Sequence, residues 1–397
     1  MKDVYDIVIV GNGIAGFSAA KAAREQSLER SVLLIGDEDR LPYKRTRLSK
    51  SIASGFGRDA LQLQPGEWFA AQGIDLMTGR RVVGVDAEAH TLTLADGQML
   101  RWGKLVLATG ASPLRPHFLR DDLPDVFVLR SIAEAERLIA ASRGIETACV
   151  VGMGVLGVEA AAELLSMGRR VTLIGDCDRL MPRHLNRTAA DMLRKEFDAR
   201  EAELITNGRV EDVTRGEQRA LRLKLRDRVL EADLCVFCLG VTPNVGLARA
   251  AGLRVNRGIV VDDRLQTSRP DIYAAGDVAE HPDGQVTGLW HAAEHQGQVA
   301  GANAAGGDVV DSRLPFRLKC EVFGRYFFSI NKPPDDELAE FDVQESSTGD
   351  VYHCLYFRDG LLHGVVMVGE PDRAKRYEQA ARERWTREKV SKSFGKA

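Results

Sequence analysis

Two six-residue stretches, Gly11-Asn-Gly13-Ile-Ala-Gly16 and Gly152-Met-Gly154-Val-Leu-Gly157, recur far apart in the sequence and leave the chain few folds to choose from. Each follows an apolar, β-favouring run, Tyr5 to Val10 and Thr147 to Val151, and each leads into a stretch of helical character, Ala15 to Arg24 and Gly152 to Met167. A second short apolar run closes each set, Ser31 to Ile35 and Arg170 to Ile174. A continuous apolar run of strand length ended by glycine is expected of a strand buried on both faces. Both sets therefore read as βαβ units of nearly equal size, an internal duplication.

The spacing of the glycines carries chemistry. The first permits a tight turn, the second leaves the backbone open to a pyrophosphate, and the third lets the helix pack closely on its strand. A bound anion then meets unpaired N–H groups at the positive end of the helix dipole. Asp37 follows Gly16, and Asp176 follows Gly157, at the distance where a carboxylate accepts hydrogen bonds from an adenosine ribose. Two dinucleotide sites are predicted. At the second, Asp176 repels a 2′-phosphate and favours NADH over NADPH. Arg170, Arg179 and Arg183 lie near enough in sequence to oppose that preference, unless they are solvated surface arginines.

Further along, His90 to Gln98 reads as a hairpin around Asp96-Gly97. Lys104 to Thr109, Val229 to Leu239 and Ile272 to Ala275 read as buried strands ended by Gly110, Gly240 and Gly276-Asp277. From Pro315 the strand-like runs Tyr326 to Ile330, Val351 to Phe357 and Leu361 to Val368, followed by a charged helix from Asp372, suggest an α+β domain. The 397 residues leave room for two or three domains. Charged residues at 28% and hydrophobic residues at 44% fit neither a disordered nor a membrane protein. With 54 basic against 57 acidic residues, no global basic field exists to hold nucleic acid. The first ten residues lack the long apolar segment of a secretory signal, and six cysteines with none before Cys149 make no disulfide framework. A cytoplasmic location is expected, with neither nucleic acid nor membrane as a partner.

Cys235-Val-Phe-Cys238 forms a C-x-x-C pattern, but residues three apart in a strand face opposite sides of the sheet. Core cysteines are expected there, and a zinc site lacks its second pair. His291 and His295 are spaced to present two metal ligands from one helix, yet a third is not evident, and no metal site is expected.

The two fingerprints, together with Leu105-Val-Leu-Ala-Thr109-Gly110, Leu239-Gly240-Val-Thr-Pro243-Asn244 and Ile272-Tyr-Ala-Ala-Gly276-Asp277, resemble the pyridine nucleotide:disulfide oxidoreductase superfamily over about residues 5 to 305. Leu41-Pro42-Tyr43-Lys44-Arg45 through Leu48-Ser49-Lys50 resembles its branch of rubredoxin and ferredoxin reductases, and the tail from about Pro315 is similar to the small C-terminal domain of NADH:rubredoxin reductases. The resemblance implies an α/β fold with two interleaved Rossmann-like dinucleotide-binding domains and a small α+β C-terminal domain. The FAD domain is expected to be discontinuous, 1–114 and 243–312, with the NAD domain at 115–242 and the third domain at 313–397.

By the same resemblance, FAD is implied at Gly11, Gly13, Ala15, Gly16 and Asp37, and nicotinamide dinucleotide at Gly152, Gly154, Gly157, Glu159 and Asp176, with Gly240 also among the cofactor-binding residues. Gly276-Asp277 is implied at the ribityl chain, Val82 near the adenine, and Thr109 and Gly110 at the FAD crossing point. Arg130 and Trp290, the latter read as lying in a polar loop, belong to the flavin shell. Lys50 is implied beside the isoalloxazine, where a cation stabilises incoming negative charge. Glu159 is implied where nicotinamide stacks, pairing with Lys50 to hold donor and acceptor in line. Without the resemblance, these two read as an exposed lysine and a surface helix residue.

The function implied is that of an FAD-dependent enzyme, monomer or homodimer, which takes hydride from NADH and passes single electrons to a small carrier such as rubredoxin or ferredoxin. Alternatives in the same branch are a flavorubredoxin reductase and a reductase linked to nitrite reductase. An NADH oxidase is disfavoured because no cysteine follows the Pro42-Tyr43 segment closely. A flavoprotein that senses NADH through protein interactions is a further alternative. Asp372 to Ala397 holds nine Lys or Arg against four Asp or Glu, which suits either steering of an acidic carrier or a solvated terminal helix.

Overall fold

The computed structural model describes residues 2–57, 59–120, 122–216 and 220–394. The chain forms two compact units, one of Met1–Arg47, Phe56–Ser112 and Val241–Leu314, the other of Leu48–Gly55, Pro113–Gly240 and Pro315–Ala397. The short segment Leu48–Gly55, read with the first portion of the sequence, thus groups with the second unit.

The first unit is built on a parallel sheet ordered Ile74–Met77, Val32–Ile35, Val4–Val10, Met99–Leu107 and Ile272–Ala274. Tyr5, Ile7, Val8, Ile9 and the whole run Val32–Ile35 are at most 1% exposed, as the unbroken apolar runs require. Lys104 to Thr109 proves to be the end of a longer strand, Met99–Leu107, whose first residues pair antiparallel with Thr91–Leu94. The helix Ile14–Gln26 lies against the helix Trp290–Ala304. A Cβ on Gly297 or Gly301 would come within 2.2 Å of Ala15 O or 2.1 Å of Ala19 O, so only glycine allows that approach. Trp290 is therefore the first residue of a 15-residue helix and not part of a polar loop.

In the second unit a parallel sheet is ordered Glu203–Ile205, Arg170–Ile174, Thr147–Val151, Leu234–Phe237 and Val126–Val128, wound as the first sheet over its first four strands. The expected strand from Val229 to Leu239 is two strands. Val229–Ala232 closes a three-stranded antiparallel sheet, and Leu234–Phe237 enters the parallel one. Asp233 makes the switch, because its Oδ2 accepts hydrogen bonds from Glu146 N (2.9 Å), Thr147 N (2.8 Å) and Thr147 Oγ1 (2.9 Å). Burial opposes the charge, but these donors outweigh it and hold the carboxyl below its ordinary value. Asp233→Ala is expected to cost about 2 kcal/mol in denaturant titrations at neutral pH. The lowered value means that this contribution is complete above about pH 4 and fades as acid protonates the folded form, so the difference between the two proteins should shrink there.

The C-terminal portion is a five-stranded antiparallel sheet ordered Arg317–Val322, Arg325–Ile330, Leu361–Val368, Val351–Arg358 and Asp342–Thr348, covered by helices Pro371–Arg382 and Arg387–Phe394. Phe328, Leu355, Phe357, Met367, Tyr377 and Trp385 share its core. The single charged helix expected from Asp372 is thus a pair. Four of its eight described basic side chains are ion-paired, Arg373 with Glu370, Arg387 with Asp342, Lys389 with Glu383 and Lys392 with Glu388. Lys396 lies outside the described residues.

Candidate functional site

The two fingerprints form cradles with matching local geometry. Gly11 and Gly152 have φ of 109° and 121°, a region that side chains rarely adopt. A Cβ on either would lie 2.1 Å from Ala108 O or 2.3 Å from Cys238 O, just past the end of the neighbouring strand. A Cβ on Gly16 or Gly157 would reach 1.7 Å from Gly11 O or 1.8 Å from Gly152 O, so the third glycine sets how closely helix meets turn. The middle glycines differ. Around a Cβ at Gly13 or Gly154 nothing lies within 4 Å, and each is the N-cap of its helix with no side-chain hydrogen bond and no acid in the first turn. Both helix N-termini thus keep open space and unused donors where a pyrophosphate fits.

Several other residues singled out in the sequence follow the carboxyl ends of these strands, the edge at which open α/β sheets bind ligands. In the first unit the register Ile35, Val10, Leu107 and Ala274 aligns the strand ends. Asp37, Gly11, Thr109 with Gly110, and Gly276 with Asp277 follow directly, and Asp37 is exposed. Ala15 is buried as the second residue of its helix, and Val82 is buried at the start of Val82–Asp86. Trp290 is half-buried against the core of this unit. In the second unit Ile174, Val151, Phe237 and Val128 align in the same way. Exposed Asp176, Gly152, Gly240 and Arg130 follow these ends, and Arg130 N donates to Glu134 Oε2 at 2.9 Å, next to the capping box of Ser131 and Glu134.

The motif residue Asn244 has a role that its sequence position did not reveal. Its Nδ2 donates to Thr109 O at 2.8 Å, its own carbonyl accepts from Thr109 Oγ1 at 2.9 Å, and its Oδ1 accepts from Ser112 Oγ at 2.7 Å. Asn244 thereby ties together two distant segments of the first unit.

Lys50 and Glu159 meet within the second unit, with Lys50 Nζ 3.4 Å from Glu159 Oε1. Glu159 is 8% exposed and so is not a surface helix residue. Its carboxylate also accepts from the buried Ser49 at 2.5 Å (Oγ to Oε2) and from Cys320 at 3.4 Å (Sγ to Oε1). Neither partner was foreseen as one, since Cys320 lies 161 positions away from Glu159. Burial, reinforced by the charge on Glu159, pushes the Cys320 thiol well above its ordinary range, so it stays a protonated donor.

Cys235 and Cys238 are buried free thiols. Burial pushes Cys238 up to about 12 and also raises Cys235, which leaves neither as a thiolate nucleophile near neutral pH. Of the three arginines near Asp176, Arg179 is not a solvated surface residue: it is 8% exposed and ion-paired to Asp178 and Asp335. Arg170 lies 3.7 Å from Glu146, and the Arg183 guanidinium lies 5.0 Å from the centre of the Phe316 ring. His295 contacts Asp311 at 3.1 Å, and among the described residues no group of three or more side chains is arranged to hold a metal.

Fold and cradles together define a protein with two dinucleotide-type βαβ cradles and an α+β C-terminal portion. Residues 5–297 match the family model of the pyridine nucleotide-disulphide oxidoreductases, and the chain belongs to that family. It is 32% identical over 374 residues to a rhodocoxin reductase of Rhodococcus erythropolis, covering 92% of this chain and 86% of that one. It is 31% identical over 370 residues to the assimilatory nitrate reductase electron transfer subunit of Bacillus subtilis; the match covers 92% of this chain and only 47% of the relative, so the chain spans about half the length of that protein. The crystal structure of a ferredoxin reductase from Rhodopseudomonas palustris superposes with a TM-score of 0.84 at 29% identity, covering 92% and 91% of the two chains.

Proposed function

We propose that the protein is an FAD-dependent NADH:acceptor oxidoreductase that delivers electrons to a small iron-sulfur or rubredoxin-type carrier. The first unit, with Gly11, Gly13, Gly16, Asp37 and Asp277, is read as the FAD domain. The second unit's sheet, with Gly152, Gly154, Gly157 and Asp176, is read as the NADH domain, and the sheet from Arg317 as a third domain. Bound FAD supplies the chemistry of accepting a hydride and releasing its electrons singly. The chain's residues contribute placement and field: two helix N-termini hold the pyrophosphates, and Lys50, oriented by Glu159, supplies a positive charge at the reacting ring.

The observation that carries this reading is the pair of matched cradles, each with open backbone at its middle glycine and an exposed acid at the end of its second strand. Asp176 favours NADH over NADPH, and the engagement of buried Arg179 with Asp178 and Asp335 supports this choice, because that guanidinium already has its partners. The names of the rhodocoxin and ferredoxin reductases support a carrier protein as acceptor. The match to a nitrate reductase subunit favours a second reading, in which the electrons enter an assimilatory reductase complex. Among the described residues no helix is long and apolar enough to cross a membrane.

Anaerobic stopped-flow with NADH and with NADPH, followed by mixing with purified rubredoxin, ferredoxin and nitrite reductase, tests the proposal. Fast bleaching by NADH and fast reoxidation by one small carrier are expected. A protein that takes up no FAD, or whose visible band ignores both reduced nucleotides, refutes it.

A further inference from the structure

The Gly276-Asp277 turn is held by a side chain that no motif contains. Gln296, 3% exposed in the middle of the helix Trp290–Ala304, accepts the Gly276 N–H at its Oε1 (2.8 Å). Its Nε2 lies 3.0 Å from His281 Nε2. The first bond fixes which end of the amide is which, since Gly276 N can only donate. A side-chain amide nitrogen also only donates, so His281 Nε2 accepts, its proton sits on Nδ1, and the ring is uncharged. Nδ1 is buried without a hydrogen-bond partner.

Near the same nitrogen lies the buried carboxylate of Asp311, with Oδ2 3.4 Å from His281 Nε2 and Oδ1 3.1 Å from Nε2 of the partly exposed His295. The other charged groups facing His281 are Arg313, Asp283 and Asp263, and Arg313 is bonded to both aspartates at 2.8 Å. Neighbouring Glu280 is directed elsewhere, accepting from Gly258 N and Asn256 Nδ2. Burial outweighs the attraction of Asp311 and holds the imidazole below its ordinary range.

A second proton on His281 has to sit on Nε2, facing the Asp311 carboxylate and the NH2 of Gln296. The amide can accept from the ring only by turning over, and that sets its NH2 against the Gly276 N–H, donor against donor. We propose that Gln296 is a positioning residue for the cofactor-binding turn and that uncharged His281 keeps it oriented, so that a proton on His281 releases Gly276. The inference rests on the reading of the first unit as the FAD domain.

Equilibrium dialysis of the full chain against FAD across pH tests it. One linked proton changes a dissociation constant at most tenfold per pH unit. Because the imidazole is held below its ordinary value near 6.5, FAD binding should be level above about pH 6.5 and weaken in acid below that, by up to that factor per pH unit. In His281→Gln, whose amide oxygen can accept from Gln296 but cannot titrate, the profile should be flat. In Gln296→Glu the carboxylate can accept from Gly276 and from protonated His281 together, so acid should no longer weaken binding. As a readout free of FAD, hydrogen-exchange mass spectrometry of segment 270–280 should show protection that is lost in acid in the wild type and retained in His281→Gln. A flat wild-type profile, or equal acid weakening in the wild type and His281→Gln, overturns the proposal. Failure to bind FAD at every pH overturns instead the domain assignment beneath it, while the exchange experiment still reports on the Gln296 bond.

Discussion

Lys50→Ala should remain folded and retain FAD, yet its flavin should be reduced by NADH about a hundredfold more slowly than in the wild type. The magnitude follows from the proposed place of Lys50 at the reacting ring, since removing one preorganised charge there costs roughly two to three orders of magnitude when the group is shielded from water. The lower end applies, because the Lys50 side chain is 34% exposed. Folding should survive because the buried Glu159 carboxylate keeps its bonds from Ser49 and Cys320 when the ammonium is lost. Anaerobic stopped-flow at 450 nm or so, with FAD content measured on the same sample, separates the two effects. Reduction within twofold of the wild-type rate would show that Lys50 is a bystander.

Gly13→Asp and Gly154→Asp should each abolish one nucleotide while sparing the fold. Both positions open onto free space, and aspartate is a preferred N-cap residue whose charge suits a helix N-terminus. Thermal stability should therefore hold or rise by about 0.5–1 kcal/mol. The new carboxylate occupies the N–H groups left for the pyrophosphate and repels it. Gly13→Asp is expected to purify without a visible flavin band. Gly154→Asp should be yellow, with a KM for NADH raised at least about a hundredfold, the equivalent of about 3 kcal/mol. Gly16→Ala and Gly157→Ala make the contrast, since a methyl group there would lie 1.7 or 1.8 Å from a carbonyl oxygen and the fold itself should suffer. A Gly154→Asp protein reduced normally by NADH would remove the second fingerprint from the reaction.

Legibility in the sequence followed the range of the interaction. The βαβ units, the glycine turns and the acids at Asp37 and Asp176 are local patterns, each written within a single short stretch of chain, and the structure has these elements where the residues place them. The apolar run around Cys235 concealed a change of sheet, because both strands favour the same residue types; the lone Asp233 in its middle was the available signal. Trp290 opens a helix whose glycines and histidines have low helix propensity, and that helix forms because Gly297 and Gly301 let it lie on Ile14–Gln26. Glu159 could be paired with Lys50 only through the family resemblance, and its bond to Cys320 was beyond reach, as was the Gln296–His281–Asp311 set. Those contacts join segments far apart in the chain that no local rule connects.

The strand Ile272–Ala274 completes the first sheet beside Met99–Leu107, although the whole second nucleotide-binding sheet is encoded between them. During synthesis, Leu107 must leave the ribosome and wait unpaired on that side until Ala274 emerges, while strands from Val126 to Phe237 already have their partners. The inserted sheet can therefore mature first, and the N-terminal half is exposed longest to chaperones and to mispairing with other nascent chains. Slow passage through codons after Phe237 would lengthen that interval, a liability set by the order of the gene rather than by the stability of the finished molecule.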